Sequence, residues 1–360
     1  MRPDDSNDRN SDSAGSAEPV RRISVIIPMF NEADHVEHLV ADIAGQDFAG
    51  EVEVVVADGA STDDSVQRLT EAAERAGLEL HVLGNPARYV SHGLNACIRR
   101  ATGDLLVRLD CHTFYPPDHL RLYAEAAVHT GAWNIGGRVI PTGRTAMERA
   151  VASAMDSPFG GVHWNRFAAG SKAVDVDVVH CGAYRPEGFE RAGFFDESLV
   201  RNQDDDLALR LRQAGGRVVL DPRIRSHYVP RGSLRGVFRQ YFEYGFWKSV
   251  LMRKHRQVIS GRSLVPLAFV GSAALLALAS LWSPLALALL AGELGGYVLS
   301  AMVFGVSSLR RRGEPLRLLP RVVAVFLTFH LSYALGMLWG LARSARRLPV
   351  ATTGKRAATS

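Results

Sequence analysis

The sequence predicts an α/β fold, an open and mostly parallel sheet wound with helices on both faces and followed by C-terminal transmembrane helices. Two observations carry this. From Arg21 to about Gly261, short apolar runs alternate with segments whose apolar residues recur at helical spacing, the pattern of a doubly wound sheet. From Leu264 the texture changes to three apolar segments, each close to the roughly 20 residues needed to cross a bilayer core.

Taken in order, residues 1–20 (MRPDDSNDRNSDSAGSAEPV) are polar, lack an apolar run and read as a disordered tail rather than a secretory signal. ISVIIP (23–28) is a near-continuous apolar run, as a strand covered on both faces requires. Asn31 is placed to cap a helix carrying Val36, Leu39, Val40 and Ile43. VEVVVAD (52–58) repeats the strand, and Ser61 with Asp64 resembles a capping box before Val66 and Leu69. LELHVL (78–83), a helix over Ser91 to Arg100 and DLLVRLD (104–110) complete four strand units. The apolar segments are LVPLAFVGSAALLALASLW, PLALALLAGELGGYVLSAMVFG and VVAVFLTFHLSYALGMLWGLA. The expected division is a tail over 1–20, a sheet domain over 21–262, a membrane domain of about three helices over 263–342 and a basic tail over 343–360.

Three scattered cysteines, Cys97, Cys111 and Cys181, make neither a disulfide framework nor a CxxC zinc pair. The net charge is +5, and its basic clusters, MRKHRQVISGR, LRRRGEPLR and RSARR, flank the apolar segments. Anionic lipid headgroups explain that placement better than nucleic acid, for which no motif is present.

In open α/β sheets, ligands bind beyond the carboxyl ends of the strands. The polar residues fall there: Pro28 to Glu32, Asp58 to Asp63 and Asp110 to His112. No GxGxxG follows the first strand and no GxxxxGK[ST] occurs, so neither the dinucleotide nor the P-loop mode is supported. Carboxylates instead reach phosphates through a divalent cation, or bind ribose hydroxyls and base N–H groups. Asp110 and His112, two apart on an extended segment, would face one ion, while Cys111 points inward as a small buried hydrophobe.

ISVIIPMFNEADHVEHLV, VVVADGASTDDS, ATGDLLVRLDCH and RNQDDDLALRLRQAGG, in this order, resemble the family 2 glycosyltransferases, which carry the GT-A fold. YVPRGSLRGVFRQYFEYGFWK is similar to their succinoglycan-type (ExoA-like) branch. The resemblance implies that Pro28, Asn31, Glu32 and Asp58 hold the nucleoside of a nucleotide sugar, and that Asp110 meets Mg²⁺ or Mn²⁺ on its diphosphate. The family's usual Asp-x-Asp is here Asp110-Cys111-His112, so His112 stands as a metal ligand or as a partner of phosphate or sugar. His227 is a further metal or phosphate candidate, or a core-edge ring. The acidic motif maps onto Gln203-Asp204-Asp205-Asp206-Leu207, giving Asp204 the role of general base for the acceptor hydroxyl, Asp205 an acceptor-binding place beside it and Asp206 a structural role with nearby arginines. A helix dipole alone also favours three acids at a helix start. Gly182 and Trp247 fall in the implied acceptor region, and Arg231 and Gln240 where the family closes the diphosphate site. Gln-x-x-Arg-Trp, the mark of processive synthases, is missing after Gln240, which favours a single transfer per encounter.

These readings imply an inverting hexosyltransferase that takes a nucleotide sugar, a UDP-sugar first, to a lipid-linked saccharide at the cell membrane, with its sheet domain cytoplasmic. Three crossings would put RSARR outside, against the positive-inside tendency, unless the last segment is re-entrant or interfacial. Metal-dependent nucleotidyl transfer or phosphohydrolysis uses similar strand-end carboxylates, and a membrane scaffold with a decayed transferase domain is the non-enzymatic alternative.

Overall fold

The computed structural model describes residues 19–160, 172–258 and 261–343. Most of the expected N-terminal tail and most of the basic C-terminal tail lie outside these residues. The first half follows the predicted alternation: β1 (Arg22–Met29), α1 (Val36–Ala44), β2 (Glu51–Asp58), α2 (Ser65–Ala76), β3 (Glu79–Gly84), α3 (Val90–Arg100) and β4 (Leu105–Arg108). These four strands pair in parallel in the order β3-β2-β1-β4. Period-two alternation sends Ile23, Val25 and Ile27 into one core and Ile26 into the other, with Val54 and Val56 parted from Val55 in the same way. That two-sided burial is why the strands are apolar throughout.

The second half makes the sheet mixed. β5 (Thr113–Phe114), α4 (His119–Thr130), β6 (Asn134–Pro141), α5 (Ala146–Met155), β7 (Val174–Asp175), β8 (Ala183–Tyr184), α6 (Pro186–Ala192), α7 (Gln203–Gln213), β9 (Val218–Tyr228) and α8 (Leu234–His255) follow. The full order is β3-β2-β1-β4-β8-β6-β9-β5, with β7 on β9. β8 is antiparallel to both neighbours, while β6 and β9 form a long parallel ladder. Gly182, expected in the acceptor region, stands at this junction: a Cβ there would overlap the Ile135 carbonyl, so the glycine permits close approach of β8 to β6.

Two predicted caps are corrected. α1 begins at Val36 after His35, and Asn31 sits five residues upstream in a left-handed conformation (φ 53°). Its side chain accepts from the Thr62 N–H at 2.8 Å, tying the β1 loop to the β2 loop. Ser61 likewise donates its hydroxyl to Asp58 at 2.6 Å, and Asp64 makes no side-chain cap. The capping box that does form is Thr145 with Glu148 at α5.

Three helices are long and apolar enough to cross a membrane: α9 (Val265–Ala279, with the short turn of helix before it), α10 (Pro284–Arg311) and α11 (Leu319–Arg343). The loop after α10 returns to the sheet domain. Glu314 pairs with Arg149 of α5, the Ser308 hydroxyl donates to the Ser153 carbonyl at 2.6 Å, and Arg312 donates to the Pro141 carbonyl at 2.7 Å.

Candidate active site

β1, β2 and β4 run in parallel, so their carboxyl ends bring Pro28 to Glu32, Asp58 and Asp110 to one edge of the sheet. At the centre lies a residue that the sequence reading passed over. Arg108, the last residue of β4, is 6% exposed and reaches Asp110 Oδ1 through Nε at 3.2 Å and Asp204 Oδ1 through Nη1 at 3.1 Å. One guanidinium therefore bridges carboxylates 94 residues apart in the chain. Burial opposes the charge of Arg108, and Asp110, Cys181 and Asp204 more than offset it, holding the group firmly protonated. Burial likewise pushes the Asp110 and Asp204 carboxyls up, but Arg108, with His112 for Asp110 and His180 for Asp204, leaves both below the usual aspartate value.

Asp110 is held on every side. The Tyr115 hydroxyl accepts from its backbone N–H at 2.8 Å and donates to its carbonyl at 3.2 Å, and the Cys181 thiol donates to its Oδ2 at 3.2 Å. Cys181 adopts φ 48°, a left-handed conformation that a residue with a Cβ takes at a cost, held here by β8 and the Asp110 contact. Burial pushes the thiols of Cys111 and Cys181 up, which disfavours the thiolate in both. Cys111 is 2% exposed within the core, as packing requires.

The Asp110-Cys111-His112 segment is not extended. The Thr113 N–H closes a turn onto the Asp110 carbonyl at 3.2 Å, and the His112 ring turns to Glu32, with Nδ1 3.5 Å from Oε1. The hydrogen bond to Glu32 raises the His112 pKa, burial opposes it, and Asp110 adds to the rise. Glu32 also lies 3.9 Å from His35. Arg231, exposed, is near enough to depress His112 in part, which puts it on the same rim. His227 is separated from them. β9 pairs Tyr228 with Thr113 and His227 with Phe114, so His227 lies on the opposite face of β9 from Tyr228, whose ring meets His112 edge-on at 6.2 Å. His227, the further metal or phosphate candidate, is thus not on the face of β9 that meets His112.

Asp58 accepts the Ser61 N–H at 3.1 Å as well as its hydroxyl, and Ser61 Oγ in turn accepts the Asn31 N–H at 2.9 Å. This net fixes the rim where β1 and β2 end. On the other side, Asn202 takes the left-handed conformation (φ 60°) as N-cap of α7 and launches its three acids in different directions. Asp204 faces Arg108 and His180, whose Nδ1 lies 3.4 Å from Oδ2. Asp205 pairs with Lys248 of α8 at 2.6 Å. Asp206 accepts from Arg210 at 2.8 Å, Lys254 at 2.5 Å and His255 at 2.7 Å. Gln240 donates to the Tyr244 hydroxyl at 2.9 Å, and the Trp247 ring lies edge-on to that of Phe246.

Among the described residues, one group of three draws metal-ligating atoms together, Glu53, Glu79 and His81, at the opposite end of the sheet. Arg22 fills it, bonding Glu51 at 2.6 Å, Glu79 at 2.7 Å and Glu53 at 3.3 Å. Burial pushes Glu53 up, but hydrogen bonds from Ser24, Thr102 and Arg22 bring it down to about 2. It is a structural charge pin.

The Glycosyl transferase family 2 model matches residues 24–188. Succinoglycan biosynthesis protein ExoA of Rhizobium meliloti is 32% identical over 249 residues, 68% of this chain and 74% of that protein. An undecaprenyl-phosphate 4-deoxy-4-formamido-L-arabinose transferase of Klebsiella pneumoniae is 33% identical over 141 residues, 38% of this chain and 42% of that protein. Among solved structures, mannosyltransferase PcManGT from Pyrobaculum calidifontis, in complex with GDP-Man and Mn²⁺, superposes with a TM-score of 0.61 over 90% of this chain and 88% of its own, at 23% identity, which shows a shared GT-A fold. The chain is thus a glycosyltransferase and belongs to family 2, in the branch of the succinoglycan ExoA protein.

Proposed function

We propose that this chain moves a hexose from a nucleotide sugar, a UDP-sugar first among candidates, to a polyprenyl-linked saccharide at the membrane surface, with inversion at the anomeric carbon. The observation that carries the reading is the Asp110–Arg108–Asp204 bridge, which sets one carboxylate on the nucleotide rim and a second deeper, beside His180. In the reaction the acceptor oxygen bonds to the anomeric carbon, the bond to the diphosphate breaks with its electrons, and Asp204 takes the acceptor proton. Arg108 keeps Asp204 ionised and so able to accept it. Asp58, Asn31, Glu32 and Pro28 would hold the nucleoside and Arg231 the diphosphate.

The half-buried rim of Asp110, His112 and Glu32 offers oxygen and imidazole donors of the kind that suit Mn²⁺ or Mg²⁺, and the Pyrobaculum structure was solved with Mn²⁺. Such a cation, when bound, neutralises charge on the leaving diphosphate. The lipid-linked acceptor is supported by the undecaprenyl-phosphate transferases among the relatives and by the apolar helices beside the site. α9 and α10 serve as a membrane hairpin with the sheet domain on the cytoplasmic side, where basic residues flank them.

The test is transfer by purified protein from a panel of UDP- and GDP-hexoses into a membrane lipid extract. Asp204→Asn should retain donor affinity while turnover falls by about 10²–10⁴-fold. A product of free pyrophosphate, or undiminished turnover in Asp204→Asn, would overturn the reading.

A further inference from the structure

We propose that α11, although long and apolar enough to cross a membrane, does not cross it. It lies with α8 in the membrane surface as a two-helix platform, and the residues that follow it stay on the face of the catalytic domain. Both ends of α11 are held to that domain. At its start, Val322, Val325 and Phe326 pack into one cluster with Ala150, Val151 and Ala154 of α5, while the preceding loop is pinned by the Glu314–Arg149 pair. At its end, the Leu341 carbonyl accepts from Arg253 of α8 at 3.4 Å, and the neighbouring Lys254 pairs with Asp196 at 2.6 Å and Asp206 at 2.5 Å. A helix crossing a hydrocarbon core about 30 Å thick would carry its far end away from those acids.

Between these ends the two helices run parallel and nearly touch. The Tyr241 and Phe329 rings stack at 3.9 Å. A Cβ on Gly245 would overlap the Tyr333 carbonyl, one on Gly336 the Phe242 carbonyl, and one on Gly340 the Ser249 hydroxyl. The spacings Gly245-xxx-Ser249 and Gly336-xxx-Gly340 are the small-xxx-small pattern that lets helix backbones approach in apolar surroundings. α8 in turn is fixed to the catalytic helix through Lys248 and Asp205. Nearly half of the apolar stretch of α11 is buried within the protein, whereas that of α9 is entirely uncovered and that of α10 almost so.

The outward face of α11 identifies what covers it. Leu327, Leu331, Leu335, Leu338 and Trp339 are exposed at the 4-4-3-1 spacing of one helical stripe, and Arg343 lies over the Trp339 ring at 5.0 Å. An apolar stripe ending in an aromatic and an arginine, on a helix whose other face is committed to protein, fits the headgroup–acyl boundary. Elsewhere α11 packs against α10, where the Tyr297 hydroxyl meets the His330 ring at 2.9 Å. This arrangement also places RSARR on the cytoplasmic face, removing the conflict that three crossings create with the positive-inside tendency.

The inference rests on the α9–α10 hairpin proposed above and is independent of the transfer chemistry. Full-length Ser13→Cys, Trp282→Cys and Thr353→Cys would be expressed, and intact and permeabilised cells treated with a membrane-impermeant maleimide, with labelled peptides read by mass spectrometry. Thr353→Cys should behave as Ser13→Cys does and label only after permeabilisation. Trp282→Cys should label on intact cells. Labelling of Thr353→Cys on the face opposite Ser13→Cys overturns the proposal. Labelling of Trp282→Cys on the same face as Ser13→Cys overturns the hairpin reading, and that comparison is separate from the first.

Discussion

Asp206→Asn tests whether α7 is bolted to α8 by charge. Asp206 is fully buried and accepts from Arg210, Lys254 and His255. Asparagine keeps the shape but cannot neutralise three donors. Two of these have other partners: Arg210 also donates to the Phe194 carbonyl at 2.8 Å, and Lys254 keeps Asp196 at 2.6 Å. The loss should therefore fall at the low end of the range for breaking a buried pair, about 3 kcal/mol rather than a sum of three bonds. At roughly 2–4 °C per kcal/mol for a domain of this size, that lowers the thermal midpoint in detergent by about 6–12 °C near pH 7.5. Burial pushes the Asp206 carboxyl up, but Arg210, Lys254 and His255 bring it below its usual value. A depressed carboxyl contributes its stability above the unfolded pKa of about 3.9 and loses it as pH falls through the folded value. The gap between wild type and variant should hold from pH 8 to 5 and close below about pH 4. A midpoint within about 2 °C of wild type at pH 7.5, or a gap unchanged into acid, would refute the charge account.

Arg108→Lys keeps a charge but loses the fork that reaches two carboxylates, so turnover should fall by about 10²-fold, the scale of a small misplacement of reacting groups, with nucleotide affinity nearly kept; steady-state kinetics beside nucleotide titration separates the two. Chelation with EDTA should abolish transfer and Mn²⁺ restore it, and His112→Ala should lose far more turnover than Cys111→Ala, since the first faces the rim and the second the core. Gly336→Ala should cost about 1–3 kcal/mol by forcing α11 off the Phe242 carbonyl, read as a lower thermal midpoint, while Gly292→Ala, whose Cβ would meet nothing within 4 Å, should leave it unchanged.

The parallel half of the fold was legible because β1 to β4 are long enough for apolar runs to stand out and are separated by helices of ordinary length. β5, β7 and β8 have two residues each, too few for any period, so the antiparallel part of the sheet left no pattern. The strand-end carboxylates were legible individually, but their bridge was not. Yet Arg108 carried a signal: a charge inside LLVRLD, an otherwise buried run, has to be paired. Its partner lies 96 residues on, and His180 lies on a strand connection with no motif of its own. The Asp110-x-His112 geometry failed for a local reason, since the segment turns at once after β4 and period-two reasoning holds only while a chain stays extended. Composition likewise made α11 equivalent to α9 and α10, because hydropathy registers apolar length and cannot distinguish a helix covered by lipid from one half covered by α8.

The three acids at the start of α7 show how the membrane side and the chemistry are joined. Consecutive helical residues point about 100° apart, so Asp204, Asp205 and Asp206 cannot share a target. The first turns to Arg108 and the site, the second to Lys248, and the third to Lys254 and His255. Lys248, Lys254 and His255 all belong to α8, whose glycine-lined face is locked to α11. The side chain proposed to take the acceptor proton is therefore held on one side by a residue of the central sheet and, through its helical neighbours, by α8 and the α11 helix packed on it. A lipid-linked acceptor is confined to the bilayer plane and cannot adjust its height to the enzyme, so the position of Asp204 relative to that plane has to be set by the protein. On the proposed role of Asp204, two successive carboxylates anchor α7 and one is left for chemistry, a division that gives each acid of the run a target beyond the helix dipole.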